Sequence, residues 1–244
     1  MIADRMWHEI RRTIFRSVKF AAVETATEWC SVALWADGEI VSLERRAGNR
    51  QGEFVLPMLE KLFERMHLRV GNLDAIAFGA GPGAFTGLRI ACGVAQGLAF
   101  ARGLPVIGVS TLEATAEESG ATRALVALDA RMHEVYYAAF EKSAGAWQVV
   151  LPAACVAPEE VAVPPGDGWL GCGSGFSAYR ERIEPRLRGV LARSAPEVRP
   201  SALAVARLAA PRLAAGEGVD AALATPHYVR DKVALTTAER ETRR

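Results

Sequence analysis

Two helix-length segments in the first half of the chain carry more apolar surface than one domain usually covers. In residues 84–101 the only charged side chain is Arg89 and the only amide is Gln96. In residues 53–68 the apolar side chains spread over roughly 200° of a helix, whereas a surface helix usually has an apolar stripe of about 100°. The 53–68 helix is therefore either inserted deeply in its own lobe or has a second apolar surface for a partner. Because two such helices occur in one lobe, the pattern favours a dimerisation or partner surface.

The second helix also carries a stripe of small residues, which indicates close packing either within the chain or with a partner. They recur at every fourth position, on one stripe where a second backbone can approach closely. The glycines at 87, 93 and 97 each cost roughly 1 kcal/mol of helix stability relative to Ala, which indicates that close packing is gained in return. A charge at Leu62 or Ile90 is expected to block pairing without unfolding the domain. The predicted interface residues are Phe54, Val55, Met58, Leu59, Leu62, Met66, Thr86, Gly87, Ile90, Gly93, Val94 and Gly97.

Strand-like and helix-like segments alternate along the chain, which favours an α/β sheet. The turn before the third strand is Asp37-Gly38, a sequence typical of a hairpin. Strands are predicted at residues 20–24, 30–35, 39–45, 75–78 and 106–109, and helices at 53–68, 84–101 and 201–213.

The pattern then restarts, which indicates an internal duplication. Residues 22–35 can be laid over 127–140, so that Glu24 falls on Asp129, Ala33 on Ala138 and Trp35 on Phe140. The predicted organisation has a second lobe that is shorter and less regular, because Pro and Gly interrupt it. The predicted parts of the chain are an N-terminal extension at 1–18, lobes at 19–112 and 113–230, and a solvated tail at 231–244.

Composition excludes some functions. The 244 residues are 50% hydrophobic with a net charge of +1, and the two termini are basic. The remaining body is slightly acidic, so it is a poor nucleic-acid binder on its own. The four cysteines form no CxxC pair and are expected to be buried thiols in a reducing compartment. There is no secretory h-region, and residues 84–101 are too short and too rich in Gly for a membrane span, so a cytoplasmic location is predicted.

Candidate chemistry is sparse. Glu24 and Asp129 occupy equivalent strand ends and could handle metal or phosphate across a cleft, which leaves a small phosphotransferase or ATPase as an alternative function. The Gly-rich turns at 79–83 and 170–175 lack a GK[ST] ending, so a structural role is favoured over phosphate binding. No two of the four histidines share metal-ligand spacing, and no metal site is predicted.

The chain resembles the TsaB (YeaZ) family over about residues 20–230. Two runs are highly specific: GPGAFTGLRI at 81–90, and DARM at 129–132 followed by EVY at 134–136. The chain also shares with the family the motifs ETAT at 24–27, CSVAL at 30–34 and YVR at 228–230, and all of these motifs occur in the same order along the chain as in the family.

The resemblance implies an actin-like, two-lobed duplicated α/β fold, of the sugar kinase and Hsp70 ATPase type, with a degenerate second lobe. It implies a non-catalytic scaffold and activator in the synthesis of N6-threonylcarbamoyladenosine in tRNA. The two apolar helices would dock the catalytic paralogue TsaD, or a second copy of this chain in isolation, and an ATPase, TsaE, would join. Neither a cofactor nor a catalytic residue is expected here, and tRNA would be contacted only through the complex.

Three departures from the family pattern stand out. Glu24 replaces the usual Asp, Gln51-Gly52 replaces His-Ser or His-Thr, and residues 1–18 have no counterpart. The first two weaken any residual ligand site and leave the helix interface unaffected. A peptidase function, which an older family label suggests, finds no nucleophile or metal ligands in the sequence.

Overall fold

A computed structural model describes residues 18–230 of the chain. The predicted tail 231–244 and all but the last residue of the predicted extension 1–18 lie outside this range. The described residues contain two five-stranded sheets and six α-helices.

The two sheets are built in the same way. The order is β3-β2-β1-β4-β5 in the first sheet and β8-β7-β6-β9-β10 in the second. In each sheet, the first three strands form an antiparallel meander. The fourth strand pairs in parallel with the first, and the fifth pairs in parallel with the fourth. The predicted duplication is therefore confirmed. The strands are β1 (Phe20–Glu24), β2 (Trp29–Ala36), β3 (Glu39–Arg46), β4 (Ala75–Gly81), β5 (Val106–Ser110), β6 (Arg123–Asp129), β7 (Val135–Ser143), β8 (Ala146–Val156), β9 (Trp169–Cys172) and β10 (Leu191–Ala195).

The helices show that the second lobe is the reduced copy, as predicted. The first lobe has a helix of 15 residues between its third and fourth strands and one of 16 residues between its fourth and fifth. In the second lobe the first of these positions holds only the 3₁₀ turn Pro158–Glu160, and the second holds helices of five and four residues. The helices are α1 (Gln51–Arg65), α2 (Phe85–Phe100), α3 (Thr111–Glu118), α4 (Ser174–Ala178), α5 (Arg180–Ile183) and α6 (Ala202–Ala214). Single 3₁₀ turns lie at Val70–Asn72, Pro158–Glu160, Glu184–Leu187 and Ala221–Leu223.

The alignment of the two halves is wrong by one residue in the returning strand. Ala33 pairs with Ala22 across the first hairpin, but Ala138 pairs with Val126 and not with Ala127. The second hairpin therefore has one residue fewer between paired positions. Because side chains alternate between sheet faces, this shift reverses the face that each residue of the returning strand takes.

Both faces of the first sheet are covered by its own chain. Helices α1 and α2 pack on one face, around Leu34, Ile76 and Phe78. Helix α6 packs on the other face although it lies in the range predicted for the second lobe. Its alanines allow a close approach, and its first amide, on Ala202, donates to Ser31 Oγ of β2 at 2.7 Å. Helices α1 and α2 thus form an outer layer, and residues 221–228 pack along one flank of α2.

Candidate interaction surface and interlobe cleft

Helix α1 has an inward half that belongs to the core of the first lobe. Four of the predicted interface residues lie on it and are buried: Val55, Met58, Leu59 and Leu62. Leu62 is 0% exposed, so the expectation that a charge there would leave the lobe folded is wrong. A partner cannot touch these four side chains in this arrangement of the chain.

The outward side of α2 is open and, apart from Arg89, uncharged, whereas the exposed side of α1 is mostly charged and Leu56 lies at its edge. Leu56 is 49% exposed, and Thr86, Gly93 and Gly97 are exposed on α2. Ile90 is half-buried and joins the two helices, since its Cδ1 would lie 3.6 Å from a Cβ on Gly52. We call Leu56, Thr86, Ile90, Gly93 and Gly97 the docking face.

The two glycines of the docking face have free space above them. A Cβ built on Gly93 or on Gly97 meets no atom within 4 Å. No contact within the described chain therefore requires a glycine at either position. Glycine costs helix stability at such positions, so a close approach by another backbone is a physical reason for it.

The remaining predicted interface residues are Phe54, Met66, Val94 and Gly87. Phe54 lies about 160° around α1 from Leu56, and its ring is covered by the guanidinium of Arg45 at 4.0 Å. It is therefore on the opposite flank of α1 from the docking face. Met66 and Val94 are half-buried against the core, and Gly87 is buried.

Leu56 was not among the predicted interface residues, although it is the most exposed large apolar residue of α1. Its position at the edge of the broad apolar arc was the available signal. An arc of roughly 200° contains both a core half and an outer half, and side chains at its edge are the ones left outside.

Glu24 ends β1 and is buried inside the first lobe. Its side chain is only 2% exposed, and its Oε1 accepts a hydrogen bond from the Ala26 amide at 2.6 Å. Thr111 Oγ1, at the start of α3, lies 3.5 Å from Oε2. A Cβ on Gly79 would fall 1.8 Å from Oε2, so a glycine is needed there to make room for this carboxyl. Burial raises the pKa of Glu24 to about 7, although the hydrogen bonds from Ala26 and Thr111 act in the opposite direction.

This raised pKa gives the stability of the protein a defined pH dependence. The folded state holds the proton of Glu24 more tightly than the unfolded chain does. The contribution of the protonated Glu24 to the free energy of unfolding is therefore fully present below pH 4.5 and is lost as the pH rises through about 7. The loss amounts to about 3 kcal/mol at most. We expect Glu24→Gln to remove most of the fall in urea-unfolding free energy between pH 5 and pH 8. Glu39→Gln, on the exposed start of β3, is the control and should leave the fall unchanged; an equal fall in Glu24→Gln would contradict the assignment.

The Gly-rich turn before α2 is filled by the chain itself. The Ala84 amide, at the N-terminus of α2, donates to Ala26 O at 2.8 Å. A Cβ on Gly83 would lie 2.6 Å from the same oxygen, and one on Gly87 would lie 1.9 Å from Thr25 O. These glycines let the loop after β1 pack against the helix start. The geometry agrees with a structural role for this turn rather than with a phosphate cradle.

A cavity of about 470 Å³ lies between the lobes, and it does not bring the two predicted carboxylates together. Asp129 lines it and is held by Tyr179 Oη at 3.1 Å and by Arg131. Glu24 does not line it and points into the first lobe. In the second Gly-rich turn, a Cβ on Gly175 would lie 2.9 Å from Ala127 O, so that turn also packs against its own strand.

Within residues 18–230 no group of three or more His, Cys, Asp or Glu side chains is placed to hold a metal ion. In the same range no helix is long and apolar enough to cross a membrane. The four cysteines are free thiols, and three of them, Cys30, Cys92 and Cys172, are buried.

Two equivalent sheets with a cleft between them define a two-lobed protein of the actin-like class. Residues 45–236 match the family model described as TsaD, tRNA N6-adenosine threonylcarbamoyltransferase. The tRNA threonylcarbamoyladenosine biosynthesis protein TsaB of Escherichia coli K12 is 36% identical over 225 residues, covering 89% of this chain and 96% of the relative. The protein of the same name from Haemophilus influenzae is 32% identical over 231 residues, with the same coverage. The chain belongs to the TsaB family.

Solved structures agree with this assignment. YeaZ from Pseudomonas aeruginosa has a TM-score of 0.81 at 40% identity and covers 86% of this chain and 99% of its own. A second crystal structure is described as an uncharacterized protein with similarity to peptidase YeaZ from the same organism. It has a TM-score of 0.82 at 39% identity and covers 87% of this chain and 100% of its own. The predicted fold class is therefore confirmed.

Proposed function

We propose that this chain is a non-catalytic scaffold in the synthesis of threonylcarbamoyladenosine in tRNA, and that it docks and activates a TsaD-type transferase. The observation that carries the proposal is the docking face, whose five residues are uncharged and whose two glycines, Gly93 and Gly97, have no atom of the described chain within 4 Å of an added Cβ. A patch of small and apolar residues that is depleted of charge and has charged residues at its rim is typical of a protein–protein interface.

The expected structure of the partner also supports the proposal. The chain matches the TsaD family model over most of its length, so a TsaD-type paralogue has equivalent sheets and helices. Two helices from each protein can then pack together, and glycines allow the short interaxial distances that such packing requires. The same face also suits a second copy of this chain, so self-association and docking compete.

The relatives' names supply the pathway, since both are threonylcarbamoyladenosine biosynthesis proteins. In the proposed assembly a TsaE-type ATPase joins the pair in the cytoplasm, and tRNA is held by the complex rather than by this chain. In this proposal the interlobe cleft takes no part in catalysis, and the enclosure of Glu24 within its own lobe agrees with that, since Glu24 and Asp129 cannot act together across the cleft.

The test is a mass determination by light scattering, with this chain alone, a TsaD-type transferase alone, and the two mixed at micromolar concentration. We expect the mixture to give a heteromeric species, and any homodimer of this chain to disappear as it forms. Leu56→Glu should shift the equilibrium back to the separate proteins, because it buries an unpaired charge at the interface. Two unchanged single species in the mixture, with the wild-type chain folded by circular dichroism, would contradict the proposal.

A further inference from the structure

The last part of the described chain forms a strap along α2. We call residues 224–230 the C-terminal strap. At its start, Ala224 O accepts hydrogen bonds from Gln96 Nε2 at 3.0 Å and from Cys92 Sγ at 3.4 Å. Further on, the His227 amide donates to Ala80 O at 2.7 Å, at the end of β4. A Cβ on Gly81 would come within 2.7 Å of His227 O, so the strap lies directly on this turn.

An aromatic anchor holds the middle of the strap to the first turn of α2. The ring of Tyr228 packs on Phe85 with centroids 5.8 Å apart. Arg89 covers the Phe85 ring at 3.7 Å, and its Nε donates to Tyr228 Oη at 3.2 Å. The three side chains therefore form one unit in which each contacts the other two.

The end of the strap is attached to the second lobe. Arg230 Nη2 donates to Ala130 O at 3.0 Å and to the carboxylate of Glu134, in the turn between β6 and β7. Its guanidinium also lies 5.7 Å from the ring centroid of Tyr136. Only one residue, Val229, separates this attachment from Tyr228, so the strap bridges the two lobes and lines the interlobe cavity together with both of them.

We propose that the C-terminal strap is a latch that ties the docking helix α2 to the second lobe, so that one flank of α2 and the interlobe cavity open together. The tie is mechanical: a strap held at three points on the first lobe and at one on the second cannot leave α2 without uncovering the cleft. Its bearing on docking rests on the proposed function, since α2 carries most of the docking face. The latch itself is a property of the isolated chain.

Two native cysteines report on the two ends of the latch. Cys92 Sγ lies under Ala224, and Cys155 Sγ donates at 3.4 Å to the same Glu134 oxygen that holds Arg230. Burial raises the pKa of both thiols, although Arg230 acts in the opposite direction at Cys155. Because Cys92 is buried and Cys155 half-buried, both should react more slowly with a maleimide while the strap is closed than after it has left. Cys30 is buried in the same core as Cys92 but bonds to Gln51 O rather than to the strap, and Cys172 is buried in the core of the second lobe, so both serve as internal controls for global unfolding.

The experiment measures the labelling rate of each cysteine by mass spectrometry in the isolated chain. Arg89→Ala and Phe85→Ala remove the aromatic anchor from the side of α2, and both residues are exposed enough to be replaced without a core defect. We expect Cys92 and Cys155 to label about tenfold faster or more in either variant, with Cys30 and Cys172 unchanged, because the anchor's ring and cation–π contacts are lost. Arg65→Ala, on the exposed side of α1, is the matched control and should change none of the four rates.

The outcomes separate the latch from the docking proposal. Faster labelling of Cys92 alone would mean that the strap frays locally, and unchanged rates at both cysteines would mean that the anchor does not hold it; either result overturns the latch. Tyr228→Phe, which removes only the hydroxyl group that Arg89 contacts, should give a smaller acceleration of the same two cysteines. The labelling experiment contains no transferase, so its rates do not depend on whether this chain docks to one.

Discussion

Gly87→Ala is expected to lower the free energy of unfolding by about 3 kcal/mol, whereas Gly93→Ala is expected to raise it by up to about 1 kcal/mol, although both glycines lie in α2. At Gly87 a Cβ would fall 1.9 Å from the carbonyl oxygen of Thr25 and 3.0 Å from its carbon. These are backbone atoms, and Thr25 Oγ1 also donates to Gly87 O at 2.7 Å, so neither side can move away easily. At Gly93 the added methyl group meets nothing, and only the gain in helix propensity remains.

Urea unfolding of the two variants, followed by circular dichroism, gives both free energies under one set of conditions. Gly97→Ala should behave like Gly93→Ala, since its Cβ is also free of contacts. A loss of stability at position 93 or 97 similar to that at position 87 would show that the outer side of α2 is covered within the single chain. The docking face would then not be free.

The order of elements in the first lobe could be predicted because each element has a local signal. Strand 20–24 was predicted with the bounds that the structure gives β1, and helix 84–101 differs from α2 by one residue at each end. Apolar runs bounded by turn residues, and a Gly-Pro-Gly turn before a helix, depend only on neighbouring residues. The equivalence of Glu24 and Asp129 at the ends of β1 and β6 could be predicted for the same reason.

Which half of an apolar helix faces the core could not be predicted. Both halves of α1 are apolar, and only the tertiary packing decides that Leu59 and Leu62 face the sheet and Leu56 faces outward. The return of α6 to the first sheet is equally non-local, because its partner Ser31 is 171 residues away in sequence. Periodicity predicts that a helix has an apolar face, but it does not predict which surface covers that face.

Glu24 shows the same limit at the level of a site. Its position at a strand end suggested a ligand-handling carboxylate, but the structure buries it within the lobe. The space that it occupies is made by Gly79, in a neighbouring strand, and its hydrogen bonds come from Ala26 and Thr111. A sequence pattern shows which carboxylates end strands, whereas the direction of each side chain depends on the residues packed around it.

Gly97→Glu, and separately Gly93→Glu, should weaken binding to a TsaD-type transferase by at least about 100-fold while leaving the isolated chain folded. Each added side chain points into open space in the single chain, so no core contact is lost. In a helix-to-helix interface the same side chain would meet the partner's backbone and bury an unpaired carboxylate, which costs roughly 3–5 kcal/mol. This combination of intact fold and lost binding is expected only of a surface used by a partner.

Titration calorimetry or surface plasmon resonance measures the affinity, and the melting temperature checks the fold. Gln148→Glu adds the same charge on the exposed edge strand β8 of the other lobe, so it should bind like the wild type. Wild-type affinity in both glycine variants would place the partner elsewhere, and the glycines would then need another explanation. Since an exposed helical glycine is unfavourable in a single chain, the docking face accounts for two such positions in one turn of α2 by a single cause.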